Sequence, residues 1–323
     1  MMAWTRKCCA LAMALLVFCP PAMSAYPDKP IRWIVPFAAG GGTDVVSRML
    51  AEAMGASLGQ SLIVENKPGA GTMIGAAEVA RASSDGYTVG TVDVSTVALN
   101  PNLYATVAYD ANKDFQYLGG TARFPFVLVV NPAIPAKDLP SLLTLGRSSS
   151  KPLSYATPGA GGPNHLGMEL LQQMADIKLL HVPYRGDAPA LQDLIGGQVD
   201  MYLVNTAASL PYIRAGKVRA LAVASRERLA SLPDVPTFDE AGVAGFEAYA
   251  WQGLAAPAGT PADRAAMLAD ALAKALADAA VRTRLADLGV EPFLMPPLEF
   301  NEHVRSETAK WRDIIGQAGI KLE

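Results

Sequence analysis

Two glycine-rich turns, PFAAGGGTD (residues 36–44) and TPGAGGPNH (residues 157–165), each leave an apolar, strand-like run and open into a segment of helical periodicity. A strand–glycine turn–helix junction belongs to α/β architecture. It presents unpaired backbone N–H groups at the positive end of a helix dipole, where an oxyanion binds without a basic side chain. Two such junctions far apart in the chain predict two lobes, each giving one donor-rich loop to a shared cleft. The expected occupant is a small carboxylate.

The chain has 323 residues, 51% of them hydrophobic, enough for one large or two medium domains with proper cores. Charged residues make up only 18%, with net charge −3 and no basic run, so nucleic acid is not an expected partner. The first 25 residues read as a removable leader. Arg6 and Lys7 form a short basic region, residues 10–18 an apolar stretch too short to span a bilayer, and Ala22-Met23-Ser24 a small-residue cleavage site. Export to the periplasm is expected, with cleavage after Ser24 or Ala25. A lipoprotein variant would use Cys19, but Phe18 stands where a lipobox requires a small residue. Cys8, Cys9 and Cys19 all lie in the leader, so the mature chain has no disulfide, thiolate nucleophile or cysteine metal site. Without the leader, 25 basic residues face 30 acidic ones. Such a chain must hold an anion with local dipoles rather than with its overall field.

Residues 31–37 read as a buried strand, Thr43 as a helix N-cap, Asp44 as a first-turn acid and 45–54 as helix. Strands at 61–65 and 87–92 flank a helix at 72–82, a β-α-β-α-β order that predicts a parallel sheet. Further strands are expected at 126–130, 153–156, 179–183, 199–204, 218–224 and 252–256. Helices are expected at 139–147, 166–174, 187–195 and 210–215, then two across 262–288 broken near Asp278, and a last one at 300–318. No linker of biased composition separates two halves. A discontinuous first lobe (26–124 with 250–323) enclosing a second (125–249) fits that observation.

The first turn lacks a GK[ST] ending and is no Walker loop. Gly69-Ala70-Gly71-Thr72-Met73-Ile74-Gly75, with Asp93 one strand later, is a variant of the dinucleotide fingerprint. Lys67-Pro68 interrupts the required strand-to-glycine join, and helix–strand packing explains these glycines more simply. Polar residues at later strand ends complete the candidate cleft: Thr91, Asp93, Ser95 and Thr96, then Tyr184 to Asp187 with Gly186 among them, then Asn205 and Thr206. Asp187 reads as a helix N-cap. Asn164 either caps its helix or reaches the ligand. His165 reads as a structural hydrogen bonder, and His181 and His303 carry no expected chemistry. No Ser-His-Asp spacing or histidine pair supports hydrolysis or a metal site. No cofactor is expected.

The order and number of several stretches carry a family resemblance over nearly the whole mature chain: YPDKPIRWIVPFAAGGGTD, VENKPGAGTMIGA, ALNPNLY, YATPGAGGPNHLGMELL, HVPYRGDAPALQDLIGGQVD, LPDVPTFDEAG and AKWRDIIGQAGIKLE. The sequence resembles the Bug (TctC-like) family, the substrate-binding subunits of tripartite tricarboxylate transporters. The resemblance implies a type II periplasmic binding-protein fold that closes by hinge motion on a ligand carboxylate held by both glycine loops, partly through waters. Carried over by position, the contacts are Phe37, Ala39, Gly40, Thr43 and Asp44, then Gly161, Gly162, Asn164 and His165, with Gly41 between the two glycines of the first loop. Family members commonly have Thr or Ser at the positions of Gly162 and Asn164, an Asp near Val204, and small or hydroxyl residues at Asp93 and Asp187. These departures touch the distal pocket rather than the clamp. A non-enzymatic, monomeric receptor that passes a carboxylate to membrane permease subunits is the expected function. The alternatives are a carboxylate-sensing partner of a signalling protein and an exported hydrolase.

Overall fold

The computed structural model describes residues 26–322, and the expected leader lies outside them. The chain begins with β1 (Ile31–Val35), α1 (Gly42–Leu58), β2 (Leu62–Asn66), α2 (Met73–Ala80), β3 (Thr88–Asp93) and α3 (Asn100–Leu103). One long strand, β4 (Phe115–Val130), leads into α4 (Leu139–Ser148), β5 (Leu153–Thr157), α5 (Pro163–Ala175), β6 (Leu179–Pro183), α6 (Asp187–Ile195), β7 (Met201–Asn205), α7 (Thr206–Arg214) and β8 (Arg219–Val223). The chain returns through β9 (Tyr249–Pro257), α8 (Ala262–Ala277), α9 (Ala279–Asp287), β10 (Glu291–Pro292) and α10 (Pro297–Ala318).

The strands follow the order β2-β1-β3-β9-β4-β7-β5-β6, with β8 and β10 also on β4. The β1–β2, β1–β3, β5–β6 and β5–β7 pairs are parallel, as βαβ units require. The expectation of a parallel sheet needs one correction. β9 runs antiparallel to both β3 and β4, and β4 antiparallel to β7 and β8, so the sheet is mixed. β4 serves both ends: residues 115–125 pair with β9, and 126–130 pair with β7 and β8. Its first eleven residues were not expected as strand.

Each end of the sheet is covered on both faces. Trp33, Leu50 and Leu268 share one core with α1 and α8, while Trp251, Phe300 and Trp311 fill the opposite face under α10. Around the other strands, Phe126, Tyr155 and Phe238 pack on one face, and Val129, Leu194 and Tyr202 on the other. The break at Asp278 is a cap: its carboxylate accepts the amides of Ala280 (2.8 Å) and Val281 (3.1 Å), which starts α9 while α8 ends.

Of the glycines in the fingerprint-like run, Gly75 serves helix–strand packing as expected, whereas Gly69 and Gly71 take positive φ (127° and 58°) before α2. A Cβ on Gly75 would stand 2.8 Å from Cβ and 2.9 Å from Cα of Pro36, so α2 lies directly on the end of β1. Backbone on both sides prevents relief by rotamer change. Gly75→Ala is expected to cost about 1–3 kcal/mol of stability, read as a lower urea midpoint at unchanged slope. A wild-type midpoint would contradict this packing.

Candidate ligand site between two helix N-termini

The two glycine turns adopt one backbone path. In the first, Gly40 is left-handed (φ 80°) and Gly41 extended (φ −77°, ψ 166°); in the second, Gly161 is left-handed (φ 76°) and Gly162 extended (φ −77°, ψ 169°). Gly41 and Gly162 are the N-caps of α1 and α5. Thr43 therefore lies inside α1 and is not its cap. Three consecutive glycines leave the cap position unmarked in sequence, and Thr43 Oγ1 instead accepts from Gln252 Nε2 of β9. The early amides of α1 and α5 have no carbonyl within their own helix to meet.

A side chain at the third helical position fixes each turn. Asp44 Oδ2 accepts the Gly40 amide at 2.8 Å, and His165 Nδ1 accepts the Gly161 amide at 3.0 Å. Asp44 also accepts from Asn66 Nδ2 (2.9 Å) and pairs with Arg48. Burial pushes the Asp44 carboxyl up, but the bonds from Arg48, the Gly40 amide and Asn66 outweigh it and leave the group below the usual range.

A cavity of about 280 Å³ opens beside the second turn, lined by Phe37, Gly71, Thr72, Ser95, Asn100, Leu103, Tyr104, residues 158–164 and Leu322. No Arg, Lys, Asp, Glu or His is among these lining residues. Two larger surface grooves, of about 570 and 720 Å³, lie against α1–β2 and against α2, and neither is lined by residues of the two glycine turns. The smaller cavity is the one walled by the second turn, with Phe37 from the first.

Of the residues expected from sequence, Phe37, Ser95, Gly161, Gly162 and Asn164 line this cavity. Ala39, Gly40, Gly41, Thr43 and Asp44 belong to the same turn as Phe37 without forming its walls. Asn164 is nearly buried and its Nδ2 donates to the Leu203 carbonyl at 2.8 Å, which ties the turn to β7 rather than capping α5. Thr91 is turned into the core, where its hydroxyl accepts from Trp33 Nε1 (2.8 Å) and meets Ser47 Oγ (3.1 Å). Asp93 is buried and caps the helical stretch after β3, accepting the Thr96 amide at 3.0 Å and its hydroxyl. Burial raises its carboxyl above the ordinary value, against the pull of the Thr96 and Ser95 bonds.

Tyr184, Gly186 and Asn205 lie behind the second turn. The Tyr184 and Gly186 amides donate to the carbonyls of Thr157 (2.9 Å) and Pro158 (3.1 Å) and so brace it. Asn205 caps α7, accepting the Ala208 amide at 2.8 Å. Asp187 is not a cap: Gly186 holds that position in α6, and the Asp187 carboxylate accepts from the Tyr202 hydroxyl and from Asn205 Nδ2 (3.3 Å). Outside the second turn, sequence reasoning missed Gly71, Thr72, Asn100, Leu103, Tyr104 and Leu322. The first two lay in the run assigned to packing, and the ALNPNLY stretch contained the next three without showing where they face. Leu322 reaches the cavity because its amide donates to the Leu103 carbonyl at 3.0 Å after α10 has crossed the first set of strands.

The family described as tripartite tricarboxylate transporter family receptor (TctC) matches residues 46–320. The chain belongs to this family. Its receptors are periplasmic, and no described helix here is long and apolar enough to cross a membrane. Among solved structures, the periplasmic binding protein BugD is 36% identical with a TM-score of 0.79, over 92% of this chain and 100% of that one. The R. palustris protein Rpa4515, solved with adipate, is 34% identical with a TM-score of 0.82, over 92% and 99% of the two chains. MatC from Rhodopseudomonas palustris, solved with bound malate, is 36% identical with a TM-score of 0.77, over 90% and 100%. The fold is thus that of the TctC and Bug periplasmic binding proteins.

Proposed function

We propose that this TctC-family receptor is exported by its leader, captures a small organic carboxylate and delivers it to the permease subunits of a tripartite tricarboxylate transporter. The observation that carries this reading is a cavity walled by the α5 N-terminus and by Phe37 of the first glycine turn, with no ionic side chain on its walls. Main-chain amides and helix dipoles then replace the water bonds of the carboxylate. The adipate and malate found in two relatives support ligands of that class and size. In this reading residues 26–124 and 250–323 form one lobe and 125–249 the other, and they close about the crossing strands β4 and β9.

The chemistry next to the second turn supports a receptor rather than a hydrolase. Thr157 Oγ1 lies 2.7 Å from His181 Nε2, a spacing that suits a nucleophile and its base. But Thr157 is fully buried, and its hydroxyl donates its one proton to the Gly159 carbonyl at 3.0 Å. A hydroxyl that is closed off from solvent and engaged by the Gly159 carbonyl is not presented to a substrate as a nucleophile.

The test is a melting-temperature and calorimetric screen of the mature protein against C4 to C6 mono- and dicarboxylates, malate and adipate included, beside their neutral amides. At a hundredfold excess over Kd, a binding acid adds about 2.7 kcal/mol of stability, visible as a rise of several degrees. The amides are expected to do nothing. Equal responses to acids and amides, or none to any acid, would refute the reading.

A further inference from the structure

We propose that His165 is a positioning residue, a neutral Nδ1 acceptor that holds the Gly161 amide and so sets the donor array of the second turn, as Asp44 does for the first. The inference rests on the receptor reading for its consequence but not for its geometry. Both acceptors occupy the third helical position, both take the amide of the left-handed glycine four residues earlier, and both follow an extended glycine N-cap. One turn is locked by a carboxylate, the other by an uncharged ring. The difference is chemical: the second lock works only while Nδ1 carries no proton.

The surroundings of the ring enforce that state. His165 is 7% exposed and stacks on His181 with centroids 3.9 Å apart, and on Tyr155 at 6.3 Å. With Nδ1 accepting, the proton sits on Nε2, which faces Glu169 Oε1 of the same helix at 3.7 Å. That oxygen also accepts from the Tyr155 hydroxyl of β5 (2.7 Å) and from Gln172 Nε2 (2.8 Å), while β6 contributes His181. His181 in turn braces the start of the turn through Thr157 and the Gly159 carbonyl. The stacked rings thus hold both ends of the 157–161 segment, and two cations cannot share a 3.9 Å stack.

Burial pulls the His165 ring from its ordinary 6.5 down to about 4, and burial together with His165 does the same to His181. Both unfolded rings bind protons at a higher pH than the folded ones. The stability they contribute is therefore complete above 6.5 and declines as pH falls from 6.5 towards 4. Below about 4 a proton on Nδ1 would face the Gly161 N–H, two donors at 3.0 Å, and the turn would lose its lock.

The test combines one spectroscopic readout with two variants of the mature chain. In the unliganded protein at pH 7, ¹⁵N NMR is expected to show unprotonated Nδ1 and protonated Nε2 on His165, with scalar coupling between Nδ1 and the Gly161 amide nitrogen. This readout needs no ligand, so it decides the inference even if no carboxylate binds. His165→Asn, whose Oδ1 replaces Nδ1, is expected to keep affinity for the best acid of the screen within about threefold. His165→Leu leaves the buried amide unpaired and is expected to lose about tenfold to a hundredfold. As pH falls towards 4, wild-type affinity should drop more steeply than that of His165→Asn, a difference that cancels the titration of the ligand itself. Protonated Nδ1 at pH 7, absent coupling, or equal losses in the Asn and Leu variants would each overturn the assignment.

Discussion

Valine in place of Gly162 is expected to abolish carboxylate binding while the unliganded protein melts close to the wild-type temperature. Gly162 has φ −77° and ψ 169°, a conformation that β-branched residues favour, and a Cβ built there meets nothing within 4 Å. Folding therefore loses only what a weaker N-cap costs, on the order of 1 kcal/mol or less. The open space is the cavity itself, since Gly162 lines it. An isopropyl group there would stand between the ligand and the first amides of α5. A fall in affinity of about a hundredfold or more is expected, close to 3 kcal/mol, from calorimetry on a carboxylate that binds the wild type. Gly41→Val should likewise leave the fold intact, since φ is also −77° and the nearest atom to a Cβ is the Ala38 carbonyl at 3.5 Å, but Gly41 stands outside the cavity wall and a smaller loss of affinity is expected there.

Gly161→Ala makes the contrast. That residue has φ 76°, and its Cβ would fall 2.5 Å from Leu322 Cδ1 and 3.0 Å from Leu103 Cδ1. Here the fold and the site suffer together. Adjacent glycines in one turn thus separate the two roles, one conformational and one of clearance. Retained affinity in both Gly162→Val and Gly41→Val would show that the carboxylate rests elsewhere.

The parts of this site that sequence revealed are those whose cause is local. A strand end, a left-handed glycine and a helix start lie within nine residues, so PFAAGGGTD and TPGAGGPNH declare their geometry without help from the rest of the chain. The helix break near Asp278 was legible for the same reason. What failed was decided at a distance. Residues 115–125, FQYLGGTARFP, alternate poorly and carry two glycines and a proline, yet they form strand because β9 lies beside them. Register shifts at 117–119 and 120–122 absorb the irregularity. Asp187 looked like a cap because its sequence context is that of one, but the Tyr202 hydroxyl of β7, the next element, claims it. The place of Leu322 in the cavity could not be read at all, since it depends on where α10 ends its crossing. Polar residues near strand ends were similarly over-assigned: Thr91 and Asp93 have the right chemistry for a ligand, but Trp33 and Thr96 use it.

The largest stability loss is expected at Glu307, far from the ligand. This residue of α10 is 8% exposed, and a single carboxylate oxygen accepts both Trp251 Nε1 (3.1 Å) and Trp311 Nε1 (3.0 Å). The two indoles are 0% and 1% exposed. Trp251 belongs to β9, the strand by which the chain returns, and its ring meets Phe300 and His303 edge-on. The carboxylate therefore fastens α10 to the middle of the sheet. Glu307→Ala leaves two buried N–H donors without an acceptor and opens a small void, for a combined cost of about 3–5 kcal/mol. In a domain of this size that lowers Tm by about 10 °C. Glu307→Gln keeps an oxygen with two lone pairs for the indoles and loses the charge that faces Lys310 Nζ at 3.7 Å, so it should forfeit only about 1 kcal/mol. Urea unfolding separates these cases by midpoint. Carboxylate affinity, measured well below the melting temperature, should change little in either variant, because none of the three residues lines the cavity. Should Gln destabilise as much as Ala, the shared oxygen would not be what holds the helix, and the packing of Trp251 against Phe300 would have to account for it alone.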